Sequence, residues 1–202
     1  MLVNIVICGI GGQGNILASG LMGSALVEKG YKVSVGETYG ASQRGGSVMS
    51  HLRFSDETER GVLIPEGKAD IVIAFEPVEA LRILRVYGNE NTVCIYDPRP
   101  AYPLGVLIGE ADYPSLEEIR KEINETCKEA YELNATDIAL EVGNSKIANI
   151  VLMGALAALP NMPVEPSDFF YVLSENFNEK LTEINKKAFN AGYDEITKRR
   201  EK

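Results

Sequence analysis

The sequence predicts an α/β fold, a doubly wound and mostly parallel sheet flanked by helices, Rossmann-like, with a helical tail at about 166–202. Three observations lead to this prediction. Short apolar runs alternate with segments of helical periodicity along most of the chain. A glycine-rich turn follows the first apolar run directly. The 202 residues, 45% of them hydrophobic, fit one domain, 1–202, with enough apolar material for a core.

The first predicted unit is a strand, a glycine turn, a helix and a second strand. Residues 2–8 are short, apolar and β-branched, which is typical of a strand buried on both faces. Residues 15–30 carry apolar side chains at helical spacing and end in a glycine, a common helix stop. Residues 31–37 are predicted as the second strand. The result is a βαβ unit whose crossover is expected to be right-handed.

Four more strands are predicted along the chain from their apolar or alternating patterns. The direction of the first of these strands is not predicted, because alternation alone does not distinguish a parallel from an antiparallel neighbour. Two of the others, 91–97 and 135–143, follow helical segments, as in a parallel sheet. The four predicted strands are 47–56, 69–76, 91–97 and 135–143.

The remaining segments are predicted to be helical. Residues 77–88 begin with proline and end with glycine, the usual asymmetry of a short helix. Residues 115–133 open with a serine and a glutamate at capping-box spacing. Residues 144–160 are apolar nearly all round, so we expect a helix buried in the domain or at an interface. Residues 166–177 and 178–202 form the predicted helical tail.

Composition and charge exclude several classes of partner and site. The net charge of −9 argues against a nucleic acid or an anionic membrane as partner, because neither would gain from counterion release. No apolar stretch approaches the ~20 residues that span a bilayer. Cys8, Cys94 and Cys127 stand far apart without a CxxC, so we expect no metal site and no disulfide. Cys8 and Cys94 lie in apolar strand-like runs, and we expect their thiols to be buried. A reducing, cytoplasmic location is expected.

The first glycine motif, Gly9-x-Gly11-x-x-Gly14, stands between a predicted strand and a predicted helix. Such a loop permits close approach of backbone to a ligand, and a helix N-terminus favours phosphate. Glu37, after the second strand, is placed to meet a ribose, somewhat later than the usual ~20 residues. Alternatively, the glycines only let the helix and strand pack tightly. The candidate binding residues of this motif are Gly9, Gly11, Gly12, Gln13, Gly14 and Asn15.

The second motif, residues 36–51, begins where the second strand ends, so we expect it at the same edge of the sheet as the first. Arg44 can clamp a carboxylate or phosphate through two hydrogen bonds, or form a surface ion pair. His51, the only histidine, lies in a strand pattern and is predicted to be structural. No residue is assigned as acid, base or nucleophile. The candidate binding residues here are Tyr39, Ser42, Gln43, Arg44, Gly45 and Gly46.

Together the segments GIGGQGNILASGLM and GETYGASQRGGSVMSHLRFS resemble the gamma-type domain of the 2-oxoacid:ferredoxin oxidoreductases. The layout is similar over roughly residues 1–190. Relatives acting on pyruvate or 2-oxoglutarate more often carry a Gly-Pro-Glu-x-Arg-Gly form at the second motif. Here Ala41, Ser42 and Gln43 precede Arg44, which most resembles the beta subunits of the indolepyruvate branch of the family.

The resemblance implies an accessory subunit of an enzyme that oxidatively decarboxylates a 2-oxoacid, forms an acyl-coenzyme A and reduces ferredoxin. It implies that a larger alpha subunit holds the thiamine diphosphate and the iron–sulfur clusters. No cofactor is assigned to this chain alone, although the gamma domain of related enzymes helps to bind coenzyme A. Indolepyruvate, or another arylpyruvate, is the implied substrate. The alternative is a gamma subunit acting on pyruvate, 2-oxoisovalerate or 2-oxoglutarate.

Two other classes of function stay open at this point. One is a free-standing NAD- or FAD-binding oxidoreductase, which would need Glu37 to face the ribose. The other is an assembly module without a ligand, which the small-residue helix at 144–160 would favour as a docking element.

Overall fold

A computed structural model describes residues 1–37, 46–102, 104–110 and 112–201, and within them six strands form one sheet. The strands are β1 (Leu2–Ile10), β2 (Lys32–Glu37), β3 (Ser47–Ser55), β4 (Ile71–Ala74), β5 (Val93–Tyr96) and β6 (Glu129–Glu132). Their order is β2-β3-β1-β4-β5-β6. β1, β4, β5 and β6 pair in parallel, whereas β3 is antiparallel to both β1 and β2. All strands but β3 therefore point the same way, which confirms the mostly parallel α/β sheet.

The helices follow most of the predicted segments. α2 begins with the predicted proline, and the Glu76 side chain accepts a hydrogen bond from Glu79 N there. The capping box predicted at the start of α4 is present. The helices are α1 (Asn15–Glu28), α2 (Pro77–Tyr87), α3 (Leu104–Leu107), α4 (Leu116–Thr126), α5 (Ala135–Val142), α6 (Ala148–Ala157), α7 (Pro166–Asn176) and α8 (Glu179–Arg200), with one 3-10 turn at Ser145–Ile147.

Helices cover both faces of the sheet, so successive side chains of β1 enter two different cores. Ile5 and Ile7 pack on the side of α1, α5, α6, α7 and α8. Val6 and Cys8 pack on the side of α2 and α4. Burial on both faces explains why this strand is apolar without alternation, as the sequence indicated.

The first βαβ unit contains one feature that the sequence left open. β3 lies between β1 and β2 and runs antiparallel to both, so the two parallel strands are not direct neighbours. The carboxyl ends of β1 and β2 still lie at the same edge of the sheet, because both run in the same direction. β2 becomes the outermost strand.

The predictions for 115–133 and 135–143 are wrong in part. α4 ends at Thr126, and β6 follows within the segment that was predicted to be helix. The predicted strand at 135–143 is instead helix α5, which ends at Gly143 in a left-handed conformation with φ 112°. The alternating apolar residues misled the prediction, because Ala135, Ala139 and their apolar neighbours also repeat at helical spacing and face the core.

α6 is buried inside the domain, which removes the observation that favoured an assembly module. Every residue of α6 from Asn149 to Ala157 is buried. α8 crosses α6 at two glycines, Gly154 and Gly192. A Cβ at Gly154 would lie 1.9 Å from Phe189 O, and a Cβ at Gly192 would lie 1.9 Å from Val151 O. The two backbones thus meet where neither helix has a side chain.

The three cysteines are buried free thiols, and burial was expected for Cys8 and Cys94. Burial raises the pKa of Cys8 and Cys94 well above the usual value and that of Cys127 to about 11. These thiols therefore stay protonated at neutral pH. Within the described residues, none of the helices combines the length and the apolar character that crossing a membrane requires.

Candidate functional site

The glycine loop joins β1 to α1 and uses its glycines in two different ways. Gly12 and Gly14 have positive φ angles of 104° and 89°, a conformation that favours glycine. A Cβ at Gly14 would lie 2.5 Å from Asn149 Nδ2, and one at Gly9 would lie 3.0 Å from Phe75 Cβ. At Gly12 a Cβ would meet no described atom within 4 Å. Close internal packing therefore accounts for Gly9 and Gly14 but, among the described residues, not for Gly12.

The two amide side chains of the first motif turn inward and shape the loop. Gln13 Oε1 accepts from Ile10 N at 2.6 Å, and Gln13 Nε2 donates to Phe75 O at 3.0 Å. Asn15 Nδ2 donates to Ile7 O at 3.1 Å. We expected these side chains to add donors at the rim of the loop. In this arrangement their Nδ2 and Nε2 groups are already bonded to protein carbonyls.

The main-chain amides of the loop are also partly used. Gly11 N donates to Gly46 O at 2.8 Å, and Gln13 N donates to Ile10 O at 3.1 Å. The Gly12 N–H donates to no described residue. Counting only bonds to described residues, the amides at this rim without a partner are thus that of Gly12 and those of the first turn of α1, whose N–H groups point out of the helix end.

The hydrogen bond from Gly11 to Gly46 places the end of the second motif beside the first. Gly46 is the one binding candidate of the second motif within the described residues. The others, Tyr39, Ser42, Gln43, Arg44 and Gly45, lie outside them. We expected the two motifs to meet at one edge of the sheet. Of that edge, the structure describes the first motif and Gly46.

Glu37 is held in place by two serine hydroxyls. Its Oε1 accepts from Ser19 Oγ of α1 at 2.7 Å, and its Oε2 accepts from Ser50 Oγ of β3 at 2.6 Å. Through these two hydrogen bonds Glu37 links β2 to α1 and to β3. A ribose at Glu37, which the dinucleotide-binding alternative needs, would have to compete with these two contacts.

A cleft of about 370 Å³ lies at the carboxyl edge of the sheet, where β1, β4 and β5 end. The N-terminus of α6 and the glycine loop before α1 border it from opposite sides. Ligands bind at this edge in open α/β sheets. The lining residues are Gly12, Gln13, Phe75, Asp97, Thr136, Ser145, Lys146, Ala148, Asn149 and Leu152.

Asp97 orders the floor of the cleft and accepts three hydrogen bonds from the protein. Its Oδ2 accepts from Thr136 N at 2.8 Å and from Thr136 Oγ1 at 2.5 Å, and its Oδ1 accepts from Arg99 N at 3.0 Å. Burial raises the pKa of this carboxyl above the usual value. With three donors on two oxygens, Asp97 fixes the start of α5 against the end of β5.

Lys146 and Asn149 bring charge and rigidity to the opposite wall. Lys146 is exposed in the 3-10 turn, and its ammonium forms no ion pair with any acid in the described part of the chain. Asn149 is buried, and its Nδ2 donates to Gly14 O at 3.4 Å. The amides that lead into α6 are bonded to Asn144 and Ser145. The cleft therefore combines the Lys146 cation with the amides of Gly12 and of the start of α1, groups that bind anions.

Sequence reasoning missed Phe75, Asp97, Thr136, Lys146 and Asn149. Phe75 and Asp97 directly follow β4 and β5, so the rule that ligands bind at the carboxyl ends of parallel strands could have found them. Thr136 was hidden by the wrong strand prediction at 135–143, which placed it at the opposite edge of the sheet. Lys146 and Asn149 carry no local pattern that marks them as ligand-binding residues.

His51 has a structural position. Its ring is 1% exposed, Nδ1 accepts from Ile64 N at 3.2 Å, and the ring contacts Tyr87 edge-on at 5.1 Å between centroids. Burial first, and the Arg53 charge second, lower the pKa of His51, and the Glu37 charge opposes the shift.

We expect acid to destabilise the protein through His51. The unfolded histidine, with a pKa of about 6.5, binds a proton before the folded one does, so stability falls as pH drops through that value. NMR titration of this single histidine should give a pKa below about 6.5. His51→Gln should flatten the loss of stability between neutral and mildly acidic pH in urea unfolding. An identical pH dependence in both proteins would contradict this assignment.

In the described part of the chain, no group of three or more His, Cys, Asp or Glu side chains is arranged to hold a metal ion. The groups that line the cleft are amides, hydroxyls, an ammonium and a carboxylate that accepts three hydrogen bonds from the protein. Such groups bind and orient a ligand.

The amino-acid sequence matches the pyruvate ferredoxin/flavodoxin oxidoreductase family over residues 4–195. It is 42% identical over 190 residues to the indolepyruvate oxidoreductase subunit IorB of Pyrococcus horikoshii, a match that covers 94% of this chain and 93% of the relative. It is 38% identical over 195 residues to the subunit of the same name from Archaeoglobus fulgidus, with 96% of each chain covered.

A solved structure shares the fold within a longer chain. It is the 2-oxoglutarate:ferredoxin oxidoreductase of Magnetococcus marinus with 2-oxoglutarate, coenzyme A and succinyl-CoA bound. The TM-score is 0.75 at 25% identity, and the match covers 98% of this chain but 31% of that one.

Proposed function

The chain belongs to the pyruvate ferredoxin/flavodoxin oxidoreductase family, and from that membership we propose that it is the beta-type subunit of an indolepyruvate, or arylpyruvate, ferredoxin oxidoreductase. The observation that carries this proposal is the similarity, over nearly the whole length, to subunits named for indolepyruvate. The sequence before Arg44 favours the same branch of the family.

The proposed reaction joins two subunits with different tasks. The 2-oxoacid loses carbon dioxide, its acyl group passes to coenzyme A, and two electrons reduce ferredoxin. Thiamine diphosphate and iron–sulfur clusters, which we assign to a larger partner subunit, supply the decarboxylation and the electron transfer when bound. This chain contributes to assembly and to binding of the acyl acceptor.

The cleft fits the phosphates of coenzyme A in its chemistry. Gly12 N–H and the N-terminus of α1 offer amide donors, and Lys146 offers a positive charge. Gly9, Gln13 and Asn15 shape the loop through internal contacts rather than by touching the ligand. From the sequence, Arg44 is proposed as a second anion clamp, with Tyr39, Ser42, Gln43 and Gly45 beside it. The matched Magnetococcus enzyme, which was solved with coenzyme A, supports this choice of ligand.

Coexpression with the larger subunit of the same organism tests the function. The purified complex should oxidise indolepyruvate with coenzyme A and reduce ferredoxin or a viologen dye. A panel of indolepyruvate, pyruvate, 2-oxoisovalerate and 2-oxoglutarate separates the proposed substrate from those of the gamma subunits. Failure to assemble, together with tight binding of NAD by the isolated chain, would overturn the proposal in favour of a free-standing dehydrogenase.

A further inference from the structure

We propose that two copies of this chain associate through the outer strand β2 and helix α1, forming a continuous sheet across a two-fold axis. We call this surface the α1–β2 edge and define it by six residues. They are Ile16, Gly20, Ser24 and Val27 on α1 and Val33 and Val35 on β2.

β2 is an edge strand with free backbone groups. Within the described residues it pairs on one side only, with β3, so the hydrogen-bonding groups on its other side lack a strand partner. Such an edge is a template for another strand. Its six residues, Lys32–Glu37, form no β-bulge in their pairing with β3 and hold a regular register throughout.

The outer face of α1 lacks the charges that a solvated helix normally carries. Glu28, its last residue, is its only charged one. Ile16 is 60% exposed and Val27 is 55% exposed, and Gly20 and Ser24 lie on the same face between them. A surface helix usually presents polar and charged side chains to water. This face therefore suits a contact with another apolar surface.

A groove of about 320 Å³ separates α1 from the outer side of β2. Gly20 and Ser24 are too small to fill it, so Val33 and Val35 stay partly exposed although they face the helix layer. Close packing normally covers such positions. The helix layer is thus incomplete at the one side of the sheet where strand pairing is also incomplete.

The pattern of β2 is self-complementary. Directly opposite residues of an antiparallel pair lie on the same face of the sheet. A two-fold axis beside Ser34 therefore sets Val33 of one copy against Val35 of the second copy, on the side of the helices. The backbone groups that β2 leaves unpaired in one chain would then be satisfied by those of the other.

The exposed face of α1 can also pair with its own copy about the axis proposed beside Ser34. An antiparallel contact centred between Gly20 and Ser24 sets the larger Ile16 against Val27 of the second copy, with small residues in the middle. The two centres coincide because a Cβ at Gly23 would lie 3.7 Å from Val33 Cγ1 and 3.3 Å from Val35 Cγ2. One axis can thus serve both the strands and the helices, as an isologous dimer requires. This match of patterns favours a second copy over an unrelated chain.

The contact would leave the cleft open. The cleft lies between the ends of β1, β4 and β5, while β2 is separated from β1 by β3. Dimer formation is therefore independent of the proposed coenzyme A site, and the inference does not rest on the proposed function.

Ser24→Glu tests the dimer, with Ser174→Glu as its matched control. Both serines are exposed on helices, so both variants should fold. Across the axis, Ser24→Glu places two negative charges close together, which should weaken the dimer by the order of a hundredfold. Ser174→Glu should leave it unchanged. Sedimentation velocity of the full chain over a concentration series measures the association, and circular dichroism confirms that each variant is folded.

Hydrogen exchange of β2 amides distinguishes strand pairing from a contact of helices alone. In the dimer these amides should exchange slowly, and dilution or Ser24→Glu should make them exchange faster. A monomer at every concentration, or a dimer that tolerates Ser24→Glu, would overturn the inference. So would protection of β2 that appears only when the larger subunit is added, since the strand would then pair with that partner.

Discussion

Gly192→Ala is expected to lower the free energy of unfolding by about 3 kcal/mol, at the upper end of the usual cost of overpacking. The new methyl group would lie 1.9 Å from Val151 O and 2.8 Å from Val151 C, both of them backbone atoms of α6. A side chain could rotate away, but a helix backbone cannot, so α8 must move outward. That movement would loosen the contact of α8 with the most deeply buried helix of the domain.

Asn190→Ala in the same helix is the control. Asn190 is exposed, and replacing it by alanine changes helix propensity by a few tenths of a kcal/mol in the favourable direction. Urea unfolding followed by circular dichroism measures both variants. Gly154→Ala should cost about as much as Gly192→Ala, because a methyl group there meets Phe189 O at the same distance. A Gly192→Ala protein as stable as the Asn190→Ala protein would mean that α6 and α8 do not cross at these glycines.

This crossing shows which part of the fold the sequence could predict. The apolar character of 144–160 correctly indicated a buried helix, because a helix buried on all sides is apolar at nearly every position. The partner of that helix could not be predicted. Gly192 stands 38 positions after Gly154, and nothing local connects two glycines so far apart. The sequence therefore predicted which elements are buried better than it predicted which pack together.

The segment 115–143 shows a second limit. Four residues, Glu129–Glu132, form a strand because they pair with β5, a contact distant in sequence. Their own pattern continues the preceding amphipathic helix without a break, so local periodicity placed them in it. The next segment alternates well enough for a strand, yet it forms helix α5, which ends at the left-handed Gly143. A glycine after an apolar segment marks the end of the segment, and it also occurs in the turns that follow strands.

The candidate site was predicted in part. The glycine loop lies at the carboxyl edge of the sheet, as its position after β1 indicated. The sequence could not show that Gln13 and Asn15 turn inward, because an amide side chain is equally suited to a ligand and to a nearby carbonyl. Nor could it show Lys146, since a lysine after a glycine-ended segment is typical of any surface turn.

Lys146→Met is expected to raise the KM for coenzyme A in the assembled enzyme by roughly 10- to 100-fold, with little change in kcat. A hydrogen bond to a charged group contributes about 1.5–3 kcal/mol, which corresponds to that range. Methionine keeps an apolar stem of similar length and removes only the charge. Among the described residues that line the cleft, Lys146 is the one cationic side chain, so none of the others replaces the lost charge.

Lys180→Met is the matched control, because Lys180 is an exposed lysine of α8 that does not line the cleft. Initial rates of ferredoxin or viologen reduction, measured over a range of coenzyme A concentrations, give KM and kcat for both variants. The rise in KM should shrink for a coenzyme A analogue without phosphates, such as pantetheine, because the lysine then loses its target. If Lys146→Met and Lys180→Met gave the same KM, the anion at this edge would be bound elsewhere, and the Arg44 segment would be the next place to test. A fall in kcat at an unchanged KM would instead mean that Lys146 acts after coenzyme A has bound, since a purely binding contact changes the two constants in the opposite pattern.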